Sequence, residues 1–317
     1  MRIVSLEPYL TELVQQLGAA ASLVGVTERC NLKKLENVKP AVVASVDAAS
    51  GSSDGTLQKY LAEIPVNLAA LKDCKPDIVL TLAPHGVILP NDARGGGGDI
   101  TLDDLRKRLK TFLGNENVKL LAVRPTRLES IYSMYEEVGV LISQPAHGRE
   151  RSQRLKAQLM DWGDNFYERT KNKKVSFLSS LNPLMLGGLW IPDLIALCSA
   201  TSQHAVDGSA DREVSWEEVV AFKPDVIVVA PRGKDLKESL ATFKELSKLP
   251  RWEEVPAVVR GEVIFSDGTK HFYDPVSGFM DSMAILLSGV AGFESGYIAE
   301  RDTFYRLRWL ELHRHKL

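Results

Sequence analysis

Lys75-Pro76-Asp77-Ile78-Val79-Leu80 and Lys223-Pro224-Asp225-Val226-Ile227-Val228 are two copies of one pattern in a chain of 317 residues. The first follows a helix expected over 68–72, opened by Asn67-Leu68; the second follows Ser215-Trp216 and a helix over 216–221. Each passes into an unbroken run of Ile, Val and Leu, which suits a parallel strand covered on both faces. Each copy ends in a similar loop, Ala83-Pro84-His85-Gly86 and Ala230-Pro231-Arg232-Gly233. Further upstream, Ser5-Leu6-Glu7-Pro8 is echoed by Ser180-Leu181-Asn182-Pro183, and both are read as lying after a strand and before a helix. Matches in the same order at comparable points of each half indicate an internal duplication, and hence two similar α/β lobes.

The rest of the chain keeps the strand–helix rhythm. Strands are expected at 3–6, 23–26, 78–82 and 119–123, with helices from Pro8 to Leu17, where Gly18 stops it, and over 102–113. Residues 31–62 are less regular, and Ser50 to Gly55 reads as a loop. Four consecutive glycines at 95–98 lack the GK[ST] ending of a phosphate loop and follow no strand directly, so 91–99 reads as a surface loop. A helical stretch runs from Leu128 to about Lys171, interrupted near Pro145 and Gly148. Its part over 149–169 holds no proline and spans roughly 30 Å as a helix. The rhythm then restarts with strands at 175–178, 226–230 and 263–266, helices at 192–198 and 236–248, and a helical end containing Trp309. The expected architecture is α/β, with two Rossmann-like lobes of mainly parallel sheet joined by one long helix. The lobes cover 1–125 and 174–317, with a helical linker over 126–173.

Thirty-nine Lys and Arg against 41 Asp and Glu give a net charge of −2, and 44% of residues are hydrophobic. That composition excludes a disordered chain, a collagen-like fibre and a disulfide scaffold. It also disfavours a non-specific nucleic-acid grip, which needs a large positive excess. No apolar run approaches the roughly 20 residues of a membrane span. Cys30, Cys74 and Cys198 are far apart with no CxxC pair and read as free thiols in a reducing compartment. Met1-Arg2 leads directly into the first strand, without the apolar stretch of about 7–15 residues that a secretory signal needs. A cytoplasmic protein is therefore expected, with a periplasmic one as the alternative if a leader precedes this sequence. Enzyme signatures such as GxSxG, HExxH, a Walker loop or a strand-following GxGxxG are missing, so no catalytic residues are assigned.

Arg2-Ile3-Val4-Ser5-Leu6-Glu7-Pro8 with Thr11-Glu12, Leu17-Gly18 and Leu23-Val24-Gly25-Val26-Thr27 resembles the substrate-binding proteins of cobalamin and iron–siderophore ABC importers. The second lobe is similar to a branch of cobalamin-binding proteins without a leader. That likeness rests on Asn182-Pro183-Leu184, Gly188-Leu189-Trp190-Ile191-Pro192, Val214-Ser215-Trp216-Glu217-Glu218-Val219, Leu249-Pro250-Arg251-Trp252 and Pro256-Ala257-Val258. The resemblance covers residues 1 to about 293 and rests on the order and number of the motifs. It implies the class III periplasmic-binding-protein-like fold, with ligand held in a cleft between lobes. It also implies non-enzymatic binding of a metal-containing or tetrapyrrole-like molecule, a cobalamin-like corrinoid first, a ferric siderophore or haem next, with no cofactor required. In that family a glutamate of each lobe docks on the permease. Glu217 matches in the second lobe, but Ala69 stands at the matching position of the first. Glu36, Glu63 or Asp73 could supply that charge by a local shift. The first lobe also lacks the tryptophan that some cobalamin binders place near the helix before the Lys-Pro-Asp motif.

Ligands of open α/β sheets sit outside the carboxyl ends of the strands. The qualifying loops offer Tyr9, Trp190, Phe272 and Tyr273 as stacking faces. His85 and His271, one per lobe, offer imidazole nitrogen to a metal, and Arg124 and Arg232 offer planar forks for carboxylate or phosphate. Glu28-Arg29-Cys30-Asn31 adds polar groups, with Cys30 as readily a small residue packed beneath its loop. Trp190 could equally be core beneath the helix opened by Pro192, while Trp216, Trp252 and Trp309 read as packing residues. His313 and His315 lie in a basic tail with no specific role. The ligand-binding set is thus Tyr9, Glu28, His85, Trp190, Arg232, His271 and Tyr273, with Tyr9, His85, Trp190, His271 and Tyr273 expected to converge on one space. The alternative is an intracellular enzyme or metallochaperone on the same scaffold.

Overall fold

The computed structural model describes residues 1–31, 38–47, 54–84, 86–89, 99–204, 208–292 and 304–307. The expectations for Glu36, His85, the glycine run at 95–98, Trp309, His313 and His315 fall outside these residues. The chain divides into two compact units, one of Met1–Arg124 with Tyr132–Ser152 and one of Pro125–Ile131 with Gln153–Leu317.

In the first unit, β1 (Ile3–Ser5), β2 (Leu23–Thr27), β3 (Ala41–Ala44), β4 (Ile78–Leu82) and β7 (Lys119–Val123) form one sheet in the order β3-β2-β1-β4-β7. Every pairing in it is parallel. The minor strands β5 (Val87–Ile88) and β6 (Ile100–Thr101) pair with each other. The helices are α1 (Pro8–Gln16), α2 (Gly55–Tyr60), α3 (Leu68–Asp73), α4 (Leu102–Leu113) and the later part of α5 (Leu128–Leu141). Val4, Val79, Leu120 and Ala122 of the sheet share a buried cluster with Leu71 of α3 and Leu105 and Leu109 of α4. Chain order reverses between β1 and β4, which makes their carboxyl ends the topological switch point. Asn67 caps α3 through the Ala70 N–H, and Lys75 then turns the chain in the left-handed region at φ 45°. Asp77 follows, and it holds the start of β1 twice. Its N–H donates to the Arg2 carbonyl at 2.9 Å and its carboxylate accepts the Arg2 N–H at 2.8 Å.

The second unit repeats this device. β8 (Lys174–Leu181), β12 (Val226–Val229) and β13 (Val263–Ser266) are parallel neighbours. Ser215 caps α8 (Trp216–Phe222) in a reciprocal capping box with Glu218. Lys223 turns left-handed at φ 54°, and Asp225 clasps Lys174 through its N–H at 2.8 Å and its carboxylate at 2.9 Å. Trp216 stacks on Trp252 at 5.7 Å and donates its indole N–H to the Pro250 carbonyl at 2.7 Å, so both rings are packing residues.

Three expectations are corrected. Ser180 and Leu181 still belong to β8, and Asn182-Pro183 is the turn into β9 (Leu184–Leu186), which pairs back antiparallel. In the first unit Pro8 stands at the start of a helix, whereas Leu184 after Pro183 stays extended, so the echo is one of sequence and not of structure. Near the end, β14 (Phe304–Leu307) is a strand antiparallel to β13 rather than helix. Its aromatic content favours a pleated edge. Finally, α6 (Pro145–Thr170) begins at the proline that was expected to interrupt it, because proline is tolerated in a first helical turn. Gly148 lies inside α6. A Cβ there would stand 2.7 Å from the Tyr135 carbonyl, so glycine permits the close crossing of α5 and α6.

The two aspartates differ in exposure, 54% for Asp77 and 20% for Asp225, and Asp225 also pairs with Arg260. Asp225→Ala is expected to cost about 1.5–3 kcal/mol, the range for hydrogen bonds to charged groups. Asp77→Ala should cost about 1 kcal/mol or less, since water replaces an exposed partner. Urea midpoints at constant m-value measure both.

Candidate functional site

The carboxyl end of the first sheet is built by the loops after β1, β2, β4 and β7. Tyr9 lies in the first turn of α1 and is 8% exposed. Glu28 is exposed and accepts the Val46 N–H at 2.7 Å, which ties it to the loop after β3. Cys30 is buried, with its Sγ 3.2 Å from Thr11 Oγ1 and 3.6 Å from Thr27 Oγ1, the packed position that was its plainer reading. Arg124 donates from Nη2 to the carbonyls of Ala83, Pro84 and Val87 at 3.2, 2.8 and 3.0 Å. Carbonyls turned out of the β4 ladder need donors, and Arg124 supplies them; its fork serves the loop.

The second sheet's carboxyl end carries the better-defined constellation. Tyr273 Oη donates to the Ala230 carbonyl at the end of β12. The Arg232 guanidinium lies over the Tyr273 ring at 4.1 Å. Its Nη2 is 3.7 Å from Asp211 Oδ2, a charge contact longer than a hydrogen bond. Asp211 in turn accepts the Gly188 N–H at 2.9 Å, and the Arg232 N–H donates to the Ser179 carbonyl at 3.0 Å. Arg232 keeps 48% of its side chain exposed against 20% for Asp211. The guanidinium is thus stacked on one face, loosely neutralised at one corner and open elsewhere. Burial pushes the Tyr273 phenol well above its usual range, against the opposing pull of Arg232. Tyr273 is therefore a neutral donor near pH 7 and not a phenolate ligand.

The flanking loops adopt unusual backbone. Leu189, just before Trp190, has φ 54°, and Phe272, just before Tyr273, has φ 69°. Gly188 has no room for a side chain, because a Cβ would stand 2.3 Å from the Ser209 carbonyl. Trp190 is 4% exposed, and its ring is 6.5 Å from Phe279 of α12 (Phe279–Val290). His271 is 3% exposed, and its N–H donates to the Asp267 carbonyl at 3.0 Å. Of the expected set, the structure brings Arg232 and Tyr273 into contact. Tyr9 and Glu28 belong to the other unit. Asp211 was missed from sequence; its bond to Gly188 spans 23 positions and has no local signature. Glu217 is exposed one position beyond the first residue of α8, and Ala69 is exposed at the same position of α3. Among the described residues, no three His, Cys, Asp or Glu side chains gather to hold a metal, and no helix is long and apolar enough to cross a membrane.

Tyr273 gives a pH test. A phenol raised above its unfolded value near 10 contributes stability that is complete below that value and lost as pH climbs through it. Tyr273→Phe should flatten the fall in stability above about pH 10 while losing about 1 kcal/mol at pH 7 for the missing hydrogen bond. Urea unfolding at pH 7 and in steps above pH 10 compares the two proteins.

Comparison with known proteins follows this geometry. A family model described as periplasmic binding protein matches residues 3–269. No curated protein matches. Among solved structures, the chain is similar to a possible iron-binding (periplasmic solute-binding) protein from Staphylococcus epidermidis ATCC 12228, with 19% identity, a TM-score of 0.66 and coverage of 91% of this chain and 98% of that one. It is also similar to the periplasmic vitamin B12 binding protein BtuF of Vibrio cholerae, with 18% identity, a TM-score of 0.59 and coverage of 91% and 96%. A periplasmic heme binding protein from Pseudomonas aeruginosa shares 17% identity, a TM-score of 0.62 and coverage of 97% and 98%.

Proposed function

The chain belongs to the periplasmic binding protein family, and from that premise we propose that it captures a small metal chelate whose rim carries anionic groups. Proteins of this family bind solutes and are not enzymes, and neither is this chain. The observation that carries the ligand class is Arg232, stacked on Tyr273 and only loosely paired with Asp211. A carboxylate offered to the open guanidinium edge gains a charge-assisted, bidentate partner. A flat ring system beside it gains stacking area from Tyr273. A haem-type porphyrin or a ferric carboxylate siderophore has such a rim. A corrinoid, with mainly amide side chains, uses the aromatic face but less of the charge, so it becomes the second choice. The solved structures of similar fold include proteins named for heme, vitamin B12 and iron, which supports the metal-chelate class.

The family's periplasmic description fits the extracytoplasmic alternative and gives no support to a cytoplasmic setting. Docking on an ABC permease is part of the proposal. Glu217 supplies an exposed acidic post in the first turn of α8, with Ala69 leaving the equivalent post of α3 uncharged.

Titration with haemin, a ferric carboxylate siderophore and cyanocobalamin, followed by tryptophan quenching, tests the reading. An anionic chelate should bind at micromolar levels or tighter, and Arg232→Ala should weaken it by about 1–3 kcal/mol while cyanocobalamin changes little. Failure of all three to quench at about 100 µM would sink the proposal. Unchanged affinity of Arg232→Ala would remove Arg232 from the site.

A further inference from the structure

β7 is the last strand of the first sheet, and its outer edge faces no other strand among the described residues. Lys119 N–H donates to the Asp77 carbonyl and the Val123 carbonyl accepts from Ala83, so both turn toward β4. Backbone groups alternate along a strand, which leaves those of Leu120 and Ala122 pointing outward. The Leu120 carbonyl is met by Arg106 Nε at 3.2 Å. The Leu120 N–H and both Ala122 groups have no hydrogen-bond partner among the described residues.

A groove of about 620 Å³ lies along this edge, and Val118, Leu120 and Leu121 contribute its apolar strand side. Arg106 and Lys110 of α4 line one side; Glu136, Glu137, Val140 and Leu141 of α5 line the other, and Lys119 shares the Leu121 face of the strand. Val140 is 64% exposed and adds apolar surface to the α5 side. Lys110, Lys119, Glu136 and Glu137 form no ion pair among the described residues. Leu120 and Ala122 belong to the core beneath α4, and Leu121 therefore points to the opposite face.

We infer that β7 accepts an extended peptide segment as an added strand, with carboxylates on its α4 side and apolar or basic side chains on its α5 side. Unpaired backbone groups select a strand, because only an extended chain offers donors and acceptors at matching spacing. Lys110, with no ion pair of its own among the described residues, and Glu136 and Glu137 across the groove select the side chains of that strand, while Arg106 is held by Asp103. These charges also argue against a second copy of this chain. A two-fold axis normal to an antiparallel β7–β7 pair would set α4 beside α4 and α5 beside α5, like charge against like. Lys119 and Arg106 guard the edge against indiscriminate pairing. An acidic strand turns that guard into recognition.

The full chain is tested with capped peptides of about six residues, the usual strand length. One alternates glutamate with valine, one alternates lysine with valine, and one is the glutamate peptide N-methylated on its backbone. The glutamate peptide should slow amide hydrogen exchange at Leu120 and Ala122 by at least about tenfold. The lysine peptide should bind at least about tenfold more weakly and the N-methylated peptide not at all. Lys110→Glu, a change at the surface of α4, should reverse the preference between the two charged peptides. The inference is overturned if no peptide protects Leu120 and Ala122 at about 1 mM. Equal binding of the N-methylated peptide would also overturn it, by showing apolar capture without strand pairing. So would protection of the same amides by self-association alone, which would make the occupant a second copy.

Discussion

A single aspartate in each unit fixes the strand that everything else is ordered around. Asp77 grips the residue before β1, and Asp225 grips the first residue of β8, each by one N–H donated and one N–H accepted. The preceding residues make that grip possible. A lysine in the left-handed region ends the helix, and the proline after it cannot continue the turn. The aspartate therefore arrives beside the central strand with its backbone already extended. From there β4 and β12 can only run parallel to β1 and β8. Their carboxyl ends then open side by side at the point where strand order reverses, which is where a parallel sheet has room for a ligand.

The two units use their strand-end arginines in opposite ways. Arg124 faces three carbonyls of one loop, and its donors are satisfied within the protein. Arg232 meets a ring and a carboxylate that stands too far for a hydrogen bond. Magnitude decides which arginine is available. Pulling Arg124 away would take a charged donor from three carbonyls, of which Pro84 keeps the Val87 N–H, at about 1–3 kcal/mol for each left without a donor. Redirecting Arg232 disturbs a half-exposed ion contact with Asp211, worth about 1 kcal/mol or less, and its stacking on Tyr273, worth about 1 kcal/mol at a half-exposed site. Charge alone did not separate them; the surrounding backbone did.

Much of this was legible in the sequence where one local signal sufficed. The largely apolar runs at Ile78–Leu82, Lys119–Val123 and Val263–Ser266 are strands over the expected residues. Helix α4 has both its limits written locally, Thr101 as N-cap and left-handed Gly114 at the other end. The hairpin after β8 was not legible, because Asn182-Pro183 suits a helix start as well as a turn and only antiparallel pairing with Leu178 to Leu181 decides. The same limit applies to the site. Arg232 and Tyr273 could be found because they sit just past strand ends. Glu28 sits there as well, but the Val46 N–H it meets belongs to a distant loop. Asp211 carries no signal of its own, since its role exists only once Gly188 and Arg232 have been brought to it.

The left-handed backbone at Leu189 and Phe272 bears on how the second unit meets a ligand. For a non-glycine residue this conformation costs about 1–2 kcal/mol, so each needs local compensation. Leu189 has it in a 2.6 Å bond from its N–H to the Ser209 carbonyl. Phe272 has it in a 2.8 Å bond to Ser282 Oγ and in an edge-on contact with Phe177 at 4.7 Å. Both compensations draw on partners within the protein, half-buried Ser209 for Leu189 and buried Ser282 and Phe177 for Phe272, that no ligand has to supply. The loops carrying Trp190 and Tyr273 are consequently held in shape beforehand, and Gly188, locked against Ser209, keeps its N–H on Asp211. Ordering a loop on binding would cost about 1 kcal/mol for each immobilised side chain. Backbone strain built into the folded unit removes that cost from any binding step these loops serve.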